Sequence, residues 1–440
     1  MWGVTKLDRT SSILETYFVF PFAIYLVTII WIMRSKREEF RSTIIVVVLV
    51  SIILYVTFLI QQAPTLSGDI YRYIWDGKLI NNGISPYRYP PDASQLAYLR
   101  DSNWELVENS NIISPYPPLL ELLNALTYRI SPTVLAFKTL AIAFALGSII
   151  TLPFFLRKLQ LDPRLAVIFA WNPLFVLEFG SSGHDDNVAV FFVLVSLYLL
   201  ESNQKIPSAV VMALAIVSKL FPLLIVPLFL KRWGIRATAL LVAVVVFFYV
   251  PFILLGGSVV GPIFMYVLSS TPIFNGGTFA LIQNVFSGLG VANAVFATRV
   301  VEYSIFGVVL AWMLWQVLRK DLDYITLIRY SGVLITIYIA FSSTIQPWYL
   351  SWVFVPFLVM MPTWSWIIFS GTIFLTYLTF TQQPLAPGYW AEITWVKIVE
   401  FAQLYFMMTY EGFSRKYFLP FRKGLFRTEE QEMGTSTSTS

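Results

Sequence analysis

Cysteine is absent from these 440 residues and histidine occurs once. The first absence excludes disulfides, thiol catalysis, iron–sulfur clusters and cysteine-ligated zinc; the second excludes a multi-histidine metal site. Charge is scarce as well. Asp, Glu, Lys and Arg make up 12% of the chain, where a soluble domain carries about 25%. That scarcity excludes a disordered chain, a fibrous repeat and an ordinary soluble enzyme. What is there is apolar: 57% hydrophobic residues, 17% aromatics and a mean hydropathy of +0.70. This is the composition of a polytopic membrane protein, and the aromatics suit a chain with two membrane interfaces to anchor. The net charge of +5 reads as positive-inside bias rather than as nucleic-acid binding.

Crossing a bilayer takes about 20 mostly apolar residues. Such runs lie near 16–33, 42–60, 134–156, 165–180, 187–200, 237–255, 303–318, 325–343, 349–361, 364–381 and 393–410. Basic residues cluster between them, around Arg34, Arg157, Lys231, Arg319 and Arg415, in five groups holding 17 of the 30 Lys and Arg. Placing these groups in the cytoplasm leaves 61–118, 180–187, 256–300, 344–348 and 382–392 outside. The fold expected is an all-α polytopic membrane protein, a bundle of about 11–13 membrane helices with a long first outer loop. Residues 1–427 read as one transmembrane domain, and 428–440, with their Ser-Thr repeat, as a disordered cytoplasmic tail. Residues 206–230 sit between two cytoplasmic ends and are interrupted at Lys219-Leu220-Phe221-Pro222. That predicts a re-entrant pair or two short broken helices, whose irregular backbone must be buried or line a cavity.

Segment 61–118 concentrates the polar chemistry. It holds Asp69, Asp76, Asp92, Asp101, Glu105 and Glu108 against Arg72, Lys78, Arg88 and Arg100, with eight Tyr and Trp to bury. A loop of this length in a compact protein is functional or disordered, and the aromatics argue for order. If 68–77 is helical, Asp69, Arg72, Tyr73 and Asp76 share one face. Such a face offers two carboxylates and a guanidinium; a carboxylate can act as general base on a hydroxyl, and the other charges can orient it or hold a phosphate. A capped interfacial helix with an Asp–Arg pair would carry the same pattern. Proline stiffens the segments that follow, which include Tyr87, Arg88 and Tyr116-Pro117-Pro118.

Three further places carry candidate residues. Gly180-Ser181-Ser182-Gly183-His184-Asp185-Asp186-Asn187 lies between two spans on the same outer face. Ionisable groups beside the membrane default to a functional reading, although a hydrated turn with an N-capping Asp would look alike. Lys219, at its helix break, needs an anion such as a donor phosphate, or a snorkelling route to water. Gln346-Pro347-Trp348-Tyr349 opens a helix on the outer face, where aromatics form belts or stack on sugar rings. Arg299, near the end of the 256–300 segment, is another phosphate partner, on what reads as an amphipathic helix capping the site.

Taken together, Asp69-x-x-Arg72-Tyr73-x-x-Asp76-Gly77, Gly83-x-Ser85-Pro86-Tyr87 and Tyr116-Pro117-Pro118-Leu119 resemble the first outer loop of GT-C-fold glycosyltransferases. These are integral membrane enzymes that use polyprenyl-phosphate-linked sugars, and the prokaryotic mannosyltransferases and the GPI mannosyltransferase I catalytic subunit are similar kinds. The Gly-His-acid turn and the late Pro-Trp-Tyr run resemble the prokaryotic members. The resemblance implies an inverting transfer of a hexose, mannose by analogy, from a polyprenyl-phosphate carrier to a lipid or glycan acceptor. It places the active site of a multi-pass cell-membrane protein on the outside. Asp69 matches the position of the catalytic base, Asp76 is the alternate, and His184 assists. Arg72, Tyr73, Tyr87, Arg88, Asp185, Asp186, Lys219, Arg299, Gln346, Trp348 and Tyr349 are the substrate-binding candidates. No nucleotide donor, nucleic acid or resident cofactor is implied, and no metal site is read, though a divalent ion stays open. Two other classes fit the composition. A transporter or lipid flippase would place its site on broken helices near the midplane. A non-catalytic subunit of a glycosylation complex would not need Asp69.

Overall fold

The computed structural model describes residues 18–35, 39–60, 64, 66–260, 274–355, 362–381 and 392–413. The tail 428–440, the basic group from Arg415 to Arg427, nearly all of 382–392 and the second half of the 349–361 run lie outside them. The architecture is all-α: among the described residues there is no strand, and a lone bridge joins Phe274 and Thr344.

Among the described residues, five helices are long and apolar enough to cross a membrane: α2 (Phe40–Thr57), α5 (Val134–Lys158), α9 (Val226–Leu254), α11 (Ala294–Arg319) and α12 (Tyr324–Phe341). Bent arms α6 (Pro173–Ser181) and α7 (Asp186–Glu201) add a sixth if counted as one span. The other expected spans are present as shorter or more polar pieces. Helices α1 (Phe20–Arg34), α8 (Lys205–Ile216) and α13 (Trp364–Thr372, continuing in tighter turns to Thr381) are short. Helix α14 (Thr394–Phe413) is 20 residues long but carries Lys397, Glu400 and Glu411. Prolines account for much of the fragmentation. Pro163, Pro173, Pro222 and Pro347 each open a new short helix, because proline fits the first turn and cannot continue a preceding one. Helix α9 is itself two helices, since Gly234 interrupts it at φ 72° between Arg232 and Arg236. The second arm matches the run expected at 237–255.

The first outer loop is built rather than loose. Helix α3 (Asp69–Asn81) lies along α4 (Pro118–Ile130). They approach so closely at Gly77 that a Cβ there would sit 2.5 Å from the Asn124 carbonyl oxygen. Asn81 adds a side-chain bond to the Ala125 carbonyl at 2.8 Å. Between the two helices, Lys78 pairs with Asp101 at 2.7 Å, and the Trp104 indole donates to the Pro91 carbonyl at 2.9 Å. Tyr73, Trp75, Leu79 and Leu120 form a small apolar core of their own beneath this loop.

The 206–230 stretch consists of two short helices on either side of a break. Helix α8 packs on α7 through reciprocal serine bonds: Ser196 Oγ donates to the Ser208 carbonyl at 2.8 Å, and Ser208 Oγ to the Ser196 carbonyl at 2.9 Å. The break at 217–220 reaches the outer loop. The Leu119 amide donates to the Val217 carbonyl at 2.8 Å, so the Tyr-Pro-Pro-Leu motif and Lys219 meet. In the 256–300 segment, α10 (Gly277–Gly288) packs against α11, which carries Arg299.

Candidate active site

Asp69 opens α3. Its carboxylate gains from the positive end of the helix dipole and is 25% exposed, the most open acid of its group. Across from it, the chain reverses by 118° between α6 and α7, and His184 sits at the apex. Gly183 makes this turn with φ +74°, a conformation that favours glycine. A Cβ there would lie 2.8 Å from Ile70 Cδ1, so the turn is pressed directly onto α3.

His184 is wholly buried. Its Nε2 faces Asp69 Oδ2 at 3.6 Å, and its Nδ1 faces Glu178 Oε2 at 2.9 Å. The Tyr377 hydroxyl donates to the other Glu178 oxygen at 2.5 Å. Trp348 stacks on the imidazole with centroids 3.7 Å apart. Burial alone would disfavour the charged ring, but the carboxylates of Asp69 and Glu178 outweigh it and raise His184 from 6.5 to about 10.

Beside the histidine, Lys219 Nζ bridges Asp185 Oδ1 at 3.0 Å and Asp186 Oδ2 at 3.1 Å. The ammonium also lies 4.9 Å from the centre of the Tyr116 ring, within cation–π range. Tyr116 packs edge-on against Tyr73. The Trp352 indole donates to Asp186 Oδ1 at 2.9 Å, and Trp352 is sandwiched by Tyr349 and Phe221 at 4.2 and 4.7 Å. Asp185 is held up at about 6, first by burial and further by Asp186, against the pull of Lys219.

Thus Asp69, Tyr73, His184, Asp185, Asp186, Lys219, Trp348 and Tyr349 come together, and Gln346 immediately precedes the aromatic run. Other candidates lie apart from this cluster. Arg72 and Asp76 are buried further along α3, where Arg72 Nε meets both Asp76 oxygens at 2.9 Å. Asp76 neighbours Glu121, which accepts a bond from Ser114. The four residues expected to share one face therefore serve two separate networks. The Tyr87 hydroxyl donates to the Tyr116 carbonyl at 2.6 Å, supporting the cluster from behind. Arg88 is exposed and lies over the Tyr89 ring. Arg299 bonds to Ser343 at 3.3 Å, in the strand-like stretch that leads into Gln346 and Trp348. Among the described residues, no group of three or more His, Asp or Glu is arranged to hold a metal ion.

Glu178, Tyr377, Trp352 and Glu121 escaped the sequence reading. Glu178 left one signal, a lone acid within the apolar run 165–180, which is costly in a membrane unless it is used or paired. Tyr377 left none.

Residues 3–235, more than half of the chain, match the family described as "Alpha-(1->6)-mannopyranosyltransferase, N-terminal domain". Residues 275–410 match "MptB C-terminal domain". The cluster draws on both segments: Asp69, Glu178, His184 and Lys219 from the first, Trp348, Trp352 and Tyr377 from the second. Alpha-(1->6)-mannopyranosyltransferase A of Mycobacterium tuberculosis is similar, 21% identical over 342 residues, covering 68% of this chain and 62% of that protein. The chain thus spans less than two thirds of that relative's length. No solved structure matches it.

Proposed function

This chain belongs to the alpha-(1->6)-mannopyranosyltransferase family, and from that premise we propose that it transfers a mannosyl group from a polyprenyl-phosphate carrier to a lipid or glycan acceptor at the outer face of the membrane. The observation that carries this reading is the convergence of a part-exposed carboxylate, Asp69, with a histidine and a lysine flanked by carboxylates. Asp69 is the general base. The acceptor hydroxyl gives its proton to Asp69 and its oxygen attacks the anomeric carbon from the face opposite the phosphate. The new C–O bond forms as the bond to the phosphate oxygen breaks, and the configuration inverts. A phosphate ester is a good leaving group, so a single base suffices, in contrast to the two carboxylates of glycoside hydrolysis.

Lys219 and the acids beside it supply the donor's phosphate site. In the resting arrangement the lysine is matched by two carboxylates, which would repel an incoming phosphate. Asp185 titrates at about 6, so it can take up a proton as the phosphate arrives and release Lys219 to it. Trp348 and Tyr349 offer aromatic surfaces for the sugar, and the apolar flanks of the neighbouring helices accept the polyprenyl tail. Concentration of these groups at the tips of the helices fits an enzyme working at one face better than a midplane transport site.

The test is transfer of radiolabelled mannose from polyprenyl-phosphate mannose to a membrane-lipid acceptor pool. Asp69→Asn is expected to lower turnover by about 10²–10⁴-fold, the usual contribution of a positioned base, while the protein still folds in detergent. Wild-type turnover by that variant would remove Asp69 as the base.

A further inference from the structure

We propose that Glu178, held by Tyr377, is a positioning residue for the transfer: it fixes His184 as an imidazolium that stands as the permanent counter-ion of Asp69. The inference rests on Asp69 being the base, and it starts from the hydrogen-bonding valence of the ring. A neutral imidazole has one donor and one acceptor nitrogen, whereas an ionised carboxylate only accepts. Both nitrogens of His184 face carboxylates, Glu178 at 2.9 Å and Asp69 at 3.6 Å. A neutral ring would aim a lone pair at one of them. Only the doubly protonated ring turns an N–H and positive charge, rather than a lone pair, toward both carboxylates.

The surroundings agree. Tyr377 donates to Glu178 Oε1 at 2.5 Å, which leaves Oε2 directed at the ring. The His184 backbone amide donates to the Glu178 carbonyl at 3.0 Å, so the same residue holds both the backbone and the side chain of the histidine. The Trp348 face, 3.7 Å away, favours a cation over a neutral ring. The titratable and charged groups around the ring include Asp69 from α3, Glu178 from α6, Tyr377 from the turns after α13, Lys138 of α5 packed against Gly183, and Asp185 next in the chain with Lys219 and Asp186 behind it. Four of these are carboxylates against two lysines, and Lys219 is engaged with Asp185 and Asp186, so without a charged His184 the site holds more anions than cations. During transfer His184 keeps both its protons. The acceptor's proton goes to Asp69, and the imidazolium stands beside Asp69 as its counter-ion until then.

Because His184 is the only histidine, the ring can be read directly. Protein carrying ¹³C,¹⁵N-labelled histidine and a tag without histidine gives one imidazole signal in detergent. The ring is expected to stay protonated through about pH 9 and to titrate near about 10. In Glu178→Gln the midpoint should fall by at least about one pH unit, the scale of losing one close opposite charge. In Tyr377→Phe it should move the same way by less. The alkaline limb of the transfer rate should follow each midpoint. A wild-type ring titrating near 6.5, or a midpoint unmoved in both variants, would overturn the proposal. The titration needs no turnover. It therefore stands or falls separately from the Asp69→Asn assay, which tests the base itself.

Discussion

Glu121 offers a quantitative test of the second network. It is fully buried, one oxygen accepts from Ser114, and the other side of the carboxyl faces Asp76, to which the protonated group donates. Asp76 already has its cation, Arg72, at 2.9 Å. Two buried acids and one guanidinium leave one proton to be held, and burial, followed by the charge of Asp76, pushes Glu121 well above 4.5. In the unfolded chain Glu121 loses its proton above about 4.5. The folded protein then binds one proton more, so this group's contribution to stability is present below that pH and is lost as pH rises toward the raised value. The slope is about 1.4 kcal/mol per pH unit. Glu121→Gln keeps the shape and a donor but removes the titration. Its stability relative to wild type should therefore rise with pH above about 4.5, by at most about 1.4 kcal/mol for each unit, until the raised value is reached. Thermal unfolding in detergent at pH 5, 6 and 7 measures this as a widening gap between the two midpoints. Parallel curves would refute the shared proton. Arg72→Met should do the opposite at pH 7, costing about 3–5 kcal/mol by leaving Asp76 buried without its cation.

Three further outcomes are expected. Lys219→Ala should raise the KM for polyprenyl-phosphate mannose by about tenfold or more, the loss of one charged contact; an unchanged donor KM would take Lys219 out of the phosphate site. Gly77→Ala forces a methyl against the Asn124 carbonyl and should destabilise the outer loop by about 1–3 kcal/mol, seen as early proteolysis within 82–117. Trp348→Ala removes the ring stacked on His184 and should lower kcat/KM by about two- to tenfold, the worth of one aromatic contact, read from initial transfer rates.

Some of this was legible before any coordinates. Helix α3 announced itself through Asp69, Arg72, Tyr73 and Asp76 at helical spacing, and the break at Lys219 through Pro222. The sorting of α3 into two networks was not legible, because it depends on which turn of the helix meets the His184 reversal and which meets α4. Which of the expected runs form one uninterrupted helix was not legible either. Hydropathy registers that 165–180 is apolar, but Pro173 cuts it into pieces too short to cross singly. Glu178 and Tyr377 are 199 residues apart, and nothing local ties one to the other. His184 stood out because it is alone in the chain, whereas the acid that holds it was hidden in a run of leucine, valine and phenylalanine.

The wide turns over Val176–Ser181 carry a metrical consequence. In a regular α-helix, residues six apart point in different directions, about 240° around the axis. The looser winding here and the reversal after it bring Glu178 and His184 face to face, with a backbone bond spanning the same six residues. The interval is therefore a ruler. Inserting or deleting one residue between them would spoil the pairing while changing no side chain, and Glu-x5-His-Asp-Asp becomes a pattern whose spacing, and not only its chemistry, carries the information.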